Sequence, residues 1–263
     1  MSKSSEEYQE IKPEEAKRLL RAIEKQLLNK FQKIRDEKYN PNTKGYDYEE
    51  ILKKFFEDYL GGAFDFLVRF GVLDVELKIN SLLDPRKNEF DVIALYKNAV
   101  PKEIYLHFVP YDAVAFITEV AQTLTVRKLS ADLAKLENLN HIQVGRRNLT
   151  GINRTFVIPP LRRPLRLLFY CEKKAKADLV NQLLIHDYKD SWDILVVLNM
   201  HYILVNTTIP FVTHVLKLNC PKSDLFYPLL KALFFICISL EGDFIDSWTV
   251  FWNLFRSVAP KQT

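Results

Sequence analysis

The spacing of short apolar runs constrains this chain more than any other feature of its sequence. Residues 64–73, 90–96, 104–108, 114–120, 165–171 and 194–198 have strand length and are rich in β-branched and aromatic side chains. Helical periodicity fills much of the rest. Leu19, Leu20, Ile23, Leu27, Leu28, Phe31 and Ile34 mark an amphipathic helix from Pro13 to Tyr39, which Asn40-Pro41-Asn42 should break. Tyr48 to Leu60 predicts a second helix, closed by Gly61-Gly62. Val126 to Leu139 predicts a third with Thr125 as its N-cap, and Ala175 to His186 a fourth. Tyr202 to Asn206 should pair with the strand at 194–198 as a hairpin. Gln143 to Pro164 reads as loop with room for one strand, and Ser223 to Val258 as a helical tail divided near Gly242. This order predicts an α/β fold: a mixed central sheet flanked by helices, with a long N-terminal helix and a C-terminal helical tail.

Composition narrows the chemistry. At 263 residues and 48% hydrophobic content the chain can bury a real core. Only 7 residues are glycine, under half the usual share of about 7%. Neither G-x-G-x-x-G nor G-x-x-x-x-G-K-[ST] occurs, which argues against Rossmann and P-loop nucleotide sites. The net charge of +4 is too mild to establish a polyanionic partner. Cys171, Cys220 and Cys237 are odd in number and far apart, so a reducing, cytoplasmic setting is expected and a zinc finger is not. The stretch after Met1 is polar and does not resemble a signal peptide. The most apolar segment, Leu229 to Leu240, is shorter than the roughly 20 residues of a membrane span, so no membrane partner is expected. The five histidines form no H-x-x-x-H pattern, a G-x-S-x-G elbow is absent, and Cys171 reads as core.

Two carboxylates stand out. Asp91 opens the apolar strand Phe90 to Tyr96, and Glu119 closes the apolar run Val114 to Val120. Strand-margin carboxylates are most often solvent groups. Brought together by neighbouring strands, however, they make a hard-oxygen site suited to Mg²⁺ or Mn²⁺, because buried carboxylates must be paired or bind a cation.

The surrounding order resembles the PD-(D/E)xK nuclease superfamily, and within it an uncharacterised prokaryotic family. The resemblance runs over roughly residues 45 to 240. It rests on Glu49-Glu50-Ile51-Leu52 and Phe55-Phe56-Glu57-Asp58-Tyr59-Leu60, then Glu89-Phe90-Asp91-Val92-Ile93-Ala94-Leu95. Val114 to Val120, Thr123-Leu124-Thr125 and Trp192-Asp193-Ile194-Leu195-Val196-Val197-Leu198 follow. It implies a restriction-endonuclease-like fold, with an N-terminal helical extension at 1–44, a nuclease core at 45–222 and C-terminal helices at 223–263. It implies metal-dependent phosphodiester hydrolysis, with Asp91 and Glu119 as ligands, the Val120 carbonyl as a further oxygen, and Glu49 ahead of Glu50 as a helix-borne acid. Prokaryotic defence against phage or foreign DNA is the implied setting, and DNA the implied substrate ahead of RNA. Asp84-Pro85 reads as a turn.

One position departs from the family. Its catalytic lysine belongs two residues after the glutamate, where this chain has Ala121. The implied consequence is an enzyme without its transition-state cation. Three explanations stand: an engineered Lys→Ala form, a naturally degenerate fold that binds or scaffolds without cutting, or another lysine such as Lys128 reaching the site. The intact carboxylates favour the first. Arg146, Arg147, Arg154, Arg162, Arg163 and Arg166 fall in one loop-rich segment and suit phosphate oxygens, with Phe156 near them as a stacking candidate; an ordinary solvated loop fits equally well. The N-terminal helix and the aromatic stripe Trp248, Phe251, Trp252 and Phe255 are candidate contacts for a second copy or a partner subunit.

Overall fold

The computed structural model describes residues 13–36, 41–73, 89–97, 107–141, 164–200, 202–209 and 212–219. Two helices open it, α1 (Pro13–Asp36) and α2 (Pro41–Leu60). The break expected at Asn40-Pro41-Asn42 separates the two helices, and Pro41 is itself the first residue of α2, where a missing N–H is harmless, so this helix begins earlier than the Tyr48 expected from its apolar stripe. Gly61 closes α2 with its N–H on the Glu57 carbonyl at 3.1 Å. A Cβ at Gly61 would stand 2.4 Å from that oxygen, so glycine is required there.

Eight strands follow: β1 (Phe64–Leu73), β2 (Phe90–Tyr96), β3 (Phe108–Pro110), β4 (Val114–Leu124), β5 (Leu165–Lys173), β6 (Ile194–Val197), β7 (Tyr202–Ile209) and β8 (Val212–Asn219). They form one mixed sheet in the order β3-β1-β2-β4-β5-β6-β7-β8. The centre, β4-β5-β6, is parallel and is crossed by α3 (Val126–Glu137) and α4 (Ala177–Gln182); β1-β2-β4 and β6-β7-β8 pair antiparallel.

Both faces of the sheet are covered, which is why β2, β4, β5 and β6 read as continuous apolar runs instead of alternating. On one face Ile23, Leu27, Phe31 and Ile34 of α1, with Leu52, Phe55 and Phe56 of α2, pack on Phe66, Val92, Phe116, Val120 and Phe169. On the other, Leu129, Leu133 and Leu136 of α3, with Trp192, pack on Phe90, Ile93, Ile117, Leu168 and Leu195. Thr125 caps α3 as expected, its hydroxyl accepting from the Lys128 N–H at 3.2 Å.

Several boundaries differ from the expectation. β3 lies at Phe108–Pro110, just after the predicted run at 104–108. The fourth helix is short and passes into a π-type turn, Leu183–Asp187. The hairpin partner of β6 forms as predicted, and β8 extends the sheet by a strand the sequence did not suggest. Arg146, Arg147, Arg154, Arg162, Arg163, Phe156, Asp84-Pro85 and the tail from Ser223 lie outside the described residues. Among the described residues no helix is long and apolar enough to cross a membrane.

Candidate active site

The β2/β4 register pairs Val92 with Thr118. Asp91 and Glu119 are the next residues on β2 and β4 beyond that pair, and Arg69 of β1 and Asp91 lie between the paired residues Val68↔Val92 and Phe70↔Phe90. Ile93 and Ile117 belong to the α3-side core, so by strand alternation Asp91 and Glu119 fall on that side of the sheet. The paired ladder stops there, and the Asp91 Oδ2 accepts the Val120 N–H at 2.8 Å. Asp91 does open its strand. Glu119 does not close one: β4 runs on to Leu124, and Glu119 sits in its interior at 1% exposure.

Burial and the neighbouring Asp91 carboxylate push the Glu119 carboxyl well above the usual carboxylate range. Its cationic neighbour comes from α3: the Lys135 Nζ lies 2.7 Å from Glu119 Oε1. The approach is close but lacks hydrogen-bond geometry, so this buried oxygen is paired in charge without receiving a hydrogen bond. Lys135 also sits over the Phe90 ring at 5.0 Å, a cation–π contact. Burial works against its charge, but Glu119 and Asp91 outweigh burial and hold the ammonium protonated.

A second ion pair lies beside the first. Lys128 Nζ is 2.7 Å from Asp132 Oδ1, and the buried Tyr170 hydroxyl donates to Asp132 Oδ2 at 2.7 Å. Asp132 is 3% exposed, and its carboxyl is pushed up chiefly by burial. Lys128 is therefore engaged with Asp132, and Lys135 is the α3 lysine in contact with Glu119. The sequence named Lys128 as the lysine that could reach the site; the lysine that meets Glu119 is Lys135, seven residues further along the same helix.

Glu49 is placed differently from the other two acids. Its carboxylate takes a forked pair of bonds from Arg69, Nε to Oε2 at 2.6 Å and Nη2 to Oε1 at 3.1 Å. Burial raises the Glu49 carboxyl, Arg69 opposes that, and Asp91 is near enough to raise it further. Arg69 also stacks its guanidinium on Tyr46 at 5.1 Å and has a left-handed backbone, φ 59°. A non-glycine residue held there stores strain, which clusters at functional sites. No sequence signal marked it.

Among the described residues no group of three or more His, Cys, Asp or Glu side chains is placed to hold a metal ion. The nearest fit is the pair Asp91 and Glu119, two hard carboxylates whose chemistry suits Mg²⁺ or Mn²⁺. The Glu119 Oε1 that faces Lys135 receives no hydrogen bond, so in the chain alone its charge is met by the Lys135 ammonium. Ala121 lies two residues beyond Glu119 and packs against the α3-side core. Arg166, which the sequence groups with the basic loop, is 1% exposed; its N–H donates to Asp193 at 2.8 Å and its side chain to the Asp190 carbonyl at 3.1 Å. It is a core residue and does not belong with the phosphate-binding candidates. Cys171 is buried in β5, as expected, and burial pushes its thiol up.

No family model matches this sequence, and no curated protein does. Solved structures do match the fold. NucC of P. aeruginosa ATCC27853 in its cAAA-bound form superimposes with a TM-score of 0.67 at 15% identity, covering 90% of this chain and 98% of that one. NucC of E. coli MS115-1 bound to cAAA gives 0.67 at 16% identity, covering 90% and 96%, and its apo form 0.57 at 15%, covering 88% and 98%. The chain therefore has the restriction-endonuclease-like α/β fold of NucC.

Proposed function

We propose that this chain is a metal-dependent nuclease of prokaryotic anti-phage defence, hydrolysing phosphodiesters of DNA ahead of RNA. The observation that carries this reading is the placement of Asp91 and Glu119 side by side on one face of adjacent central strands. NucC, whose fold it shares, is a PD-(D/E)xK-type nuclease of anti-phage defence. Asp91 and Glu119 would hold Mg²⁺ or Mn²⁺, with the Val120 carbonyl as a further oxygen. Bound there, such an ion supplies Lewis acidity and lowers the pKa of water. Of the chain's own groups, the Val120 N–H fixes the Asp91 carboxylate, and the Arg69 fork fixes Glu49 at the margin of the site. Arg146, Arg147, Arg154, Arg162 and Arg163 would track the nucleic-acid backbone. The N-terminal helix or the aromatic tail would join copies of the chain or a partner subunit. cAAA is the first ligand to try, because two NucC structures that share this fold carry it.

Ala121 favours a second reading, an inactivated or naturally degenerate nuclease fold that binds nucleic acid without cutting it. Calorimetry with Mn²⁺ and a plasmid-cleavage assay separate the possibilities. The nuclease reading expects Mn²⁺ binding that is lost in Asp91→Asn and Glu119→Gln, and cleavage that EDTA abolishes. Mn²⁺ binding that both variants leave unchanged refutes the assigned ligands. Binding without cleavage, restored to cleavage by Ala121→Lys, establishes the inactivated form.

A further inference from the structure

Hydrolysis of a phosphodiester puts a heavy electrostatic demand on the site that performs it. The water oxygen bonds to phosphorus, and the bond from phosphorus to one sugar oxygen breaks. One water hydrogen stays on the new phosphate and the other ends on the departing sugar oxygen. Negative charge grows on the phosphoryl oxygens on the way, and a fixed cation beside them is worth orders of magnitude in rate. At Ala121 the strand offers none. The same face of the sheet is covered by α3, whose positions 128, 132 and 135 recur at helical spacing toward it. Two of the three are lysines. Lys128 is tied to Asp132, which is tied in turn to Tyr170. Lys135 makes its close contact with Glu119, one of the two carboxylates assigned to the metal, and its ammonium lies over the Phe90 ring.

We propose that Lys135, reaching across from α3, is the catalytic ammonium that Ala121 removes from the strand, and that the chain is an active nuclease as it stands. The inference rests on the nuclease reading above. The cation has moved from the strand to the helix, and it still meets the glutamate. An amine at position 121 and one at position 135 are then alternative ways to bring one charge to one place, so each should substitute for the other. Lys128 is not interchangeable with them, because its partner Asp132 lies on the same helix.

The test uses four full-length proteins: the chain itself, Lys135→Met, Ala121→Lys, and the double variant carrying both changes. Methionine keeps an unbranched side chain of similar length and removes the charge, and Lys135→Arg serves as a charge-retaining control should methionine disturb folding. Cleavage of supercoiled plasmid and of a labelled RNA oligonucleotide is followed with MnCl₂, with and without cAAA. The expected result is cleavage by the chain itself, a fall of about 100-fold or more in Lys135→Met, and recovery to within about tenfold in the double variant. A purely structural lysine would not be rescued from position 121. Mn²⁺ affinity gives a readout independent of turnover: removing a cation beside the site should tighten Mn²⁺ binding by about tenfold or more. Undiminished cleavage or unchanged Mn²⁺ affinity in Lys135→Met overturns the proposal. An inactive parent chain beside an active Ala121→Lys form overturns it while the nuclease reading survives. Silence of all four proteins on both substrates, with and without cAAA, removes the nuclease reading itself.

Discussion

Arg69 offers the sharpest check on the geometry beside the carboxylates. It occupies an interior position of β1 with φ 59°, a conformation that costs about 1–2 kcal/mol for a residue with a Cβ. Glycine at an ordinary strand position is less stable than alanine by about 0.5–1 kcal/mol. At a left-handed position glycine escapes the steric penalty that alanine keeps. The difference reverses the order, so Arg69→Gly should be more stable than Arg69→Ala by about 0.5–1 kcal/mol. Both variants also lose the fork to Glu49, whose side chain is 8% exposed while that of Arg69 is 45% exposed. Removing one partner of a fully buried pair costs about 3–5 kcal/mol, and the exposure of Arg69 discounts this to about 1–3 kcal/mol. Glu49→Gln added to Arg69→Ala should recover part of that loss, because no charge is then stranded. Urea unfolding followed by the fluorescence of Trp192, buried with its indole N–H on the Leu184 carbonyl at 2.9 Å, measures these four proteins and the single variant Glu49→Gln. Two results refute the reasoning. Arg69→Gly falling below Arg69→Ala means the backbone is extended at 69, and losses that simply add mean that Arg69 and Glu49 are not coupled.

Two further perturbations report on the α3 side of the site. Tyr170→Phe removes a buried donor to a charged acceptor and should lower stability by about 1.5–3 kcal/mol, read as a fall of several degrees in Tm; no change would mean the Asp132 oxygen finds another donor. The carboxyls of Glu49, Glu119 and Asp132 are all raised, with burial the first cause in each. An acid whose folded value lies above its unfolded value gives stability that is complete below the unfolded value, near 4, and is lost as pH rises through the folded one. In EDTA, Tm should therefore fall as pH rises from about 4 toward neutrality, and added Mn²⁺ should reverse the trend. A Tm that climbs over that window in EDTA contradicts the burial of these acids.

Much of the fold was legible because burial on both faces leaves a plain signature. The runs at 64–73 and 90–96 became β1 and β2 unchanged, since sheet strands covered by helices tolerate few polar residues. β8 was not legible: Val-Thr-His-Val-Leu-Lys-Leu-Asn at the sheet edge neither alternates cleanly nor runs apolar. The break between α1 and α2 is legible at Asn40-Pro41-Asn42, but the start of α2 is not, because Pro41 both separates the helices and serves as a first-turn residue of the second. In the site, Asp91 and Glu119 were legible as charges set in apolar strands. Arg69 was not, because left-handed backbone at an arginine has no counterpart in residue type. Lys135 carries a helical-spacing signal in the sequence. It lies seven residues after Lys128, so it shares the face of α3 that also carries the buried Leu129, Asp132 and Leu136.

The physical logic of the site follows from parity and charge. Strand parity puts Asp91 and Glu119 on the face that α3 covers, while Arg69 of β1 is engaged with Glu49 of α2. Such a concentration of buried acid is stable only if something cationic meets it. α3 meets it with two lysines and places its own acid, Asp132, between them, so that Lys128 is consumed locally and Lys135 remains for Glu119. A strand lysine at 121 and a helix lysine at 135 would compete for the same carboxylate, and like charges held together are unfavourable. Alanine at 121 is therefore what a chain that uses Lys135 should carry. On that logic Ala121→Lys in the otherwise unchanged chain brings no gain in cleavage and leaves two ammonium groups repelling each other beside one glutamate. A lower Tm than the parent chain, with cleavage no faster, is the outcome that separates a relocated lysine from a lost one.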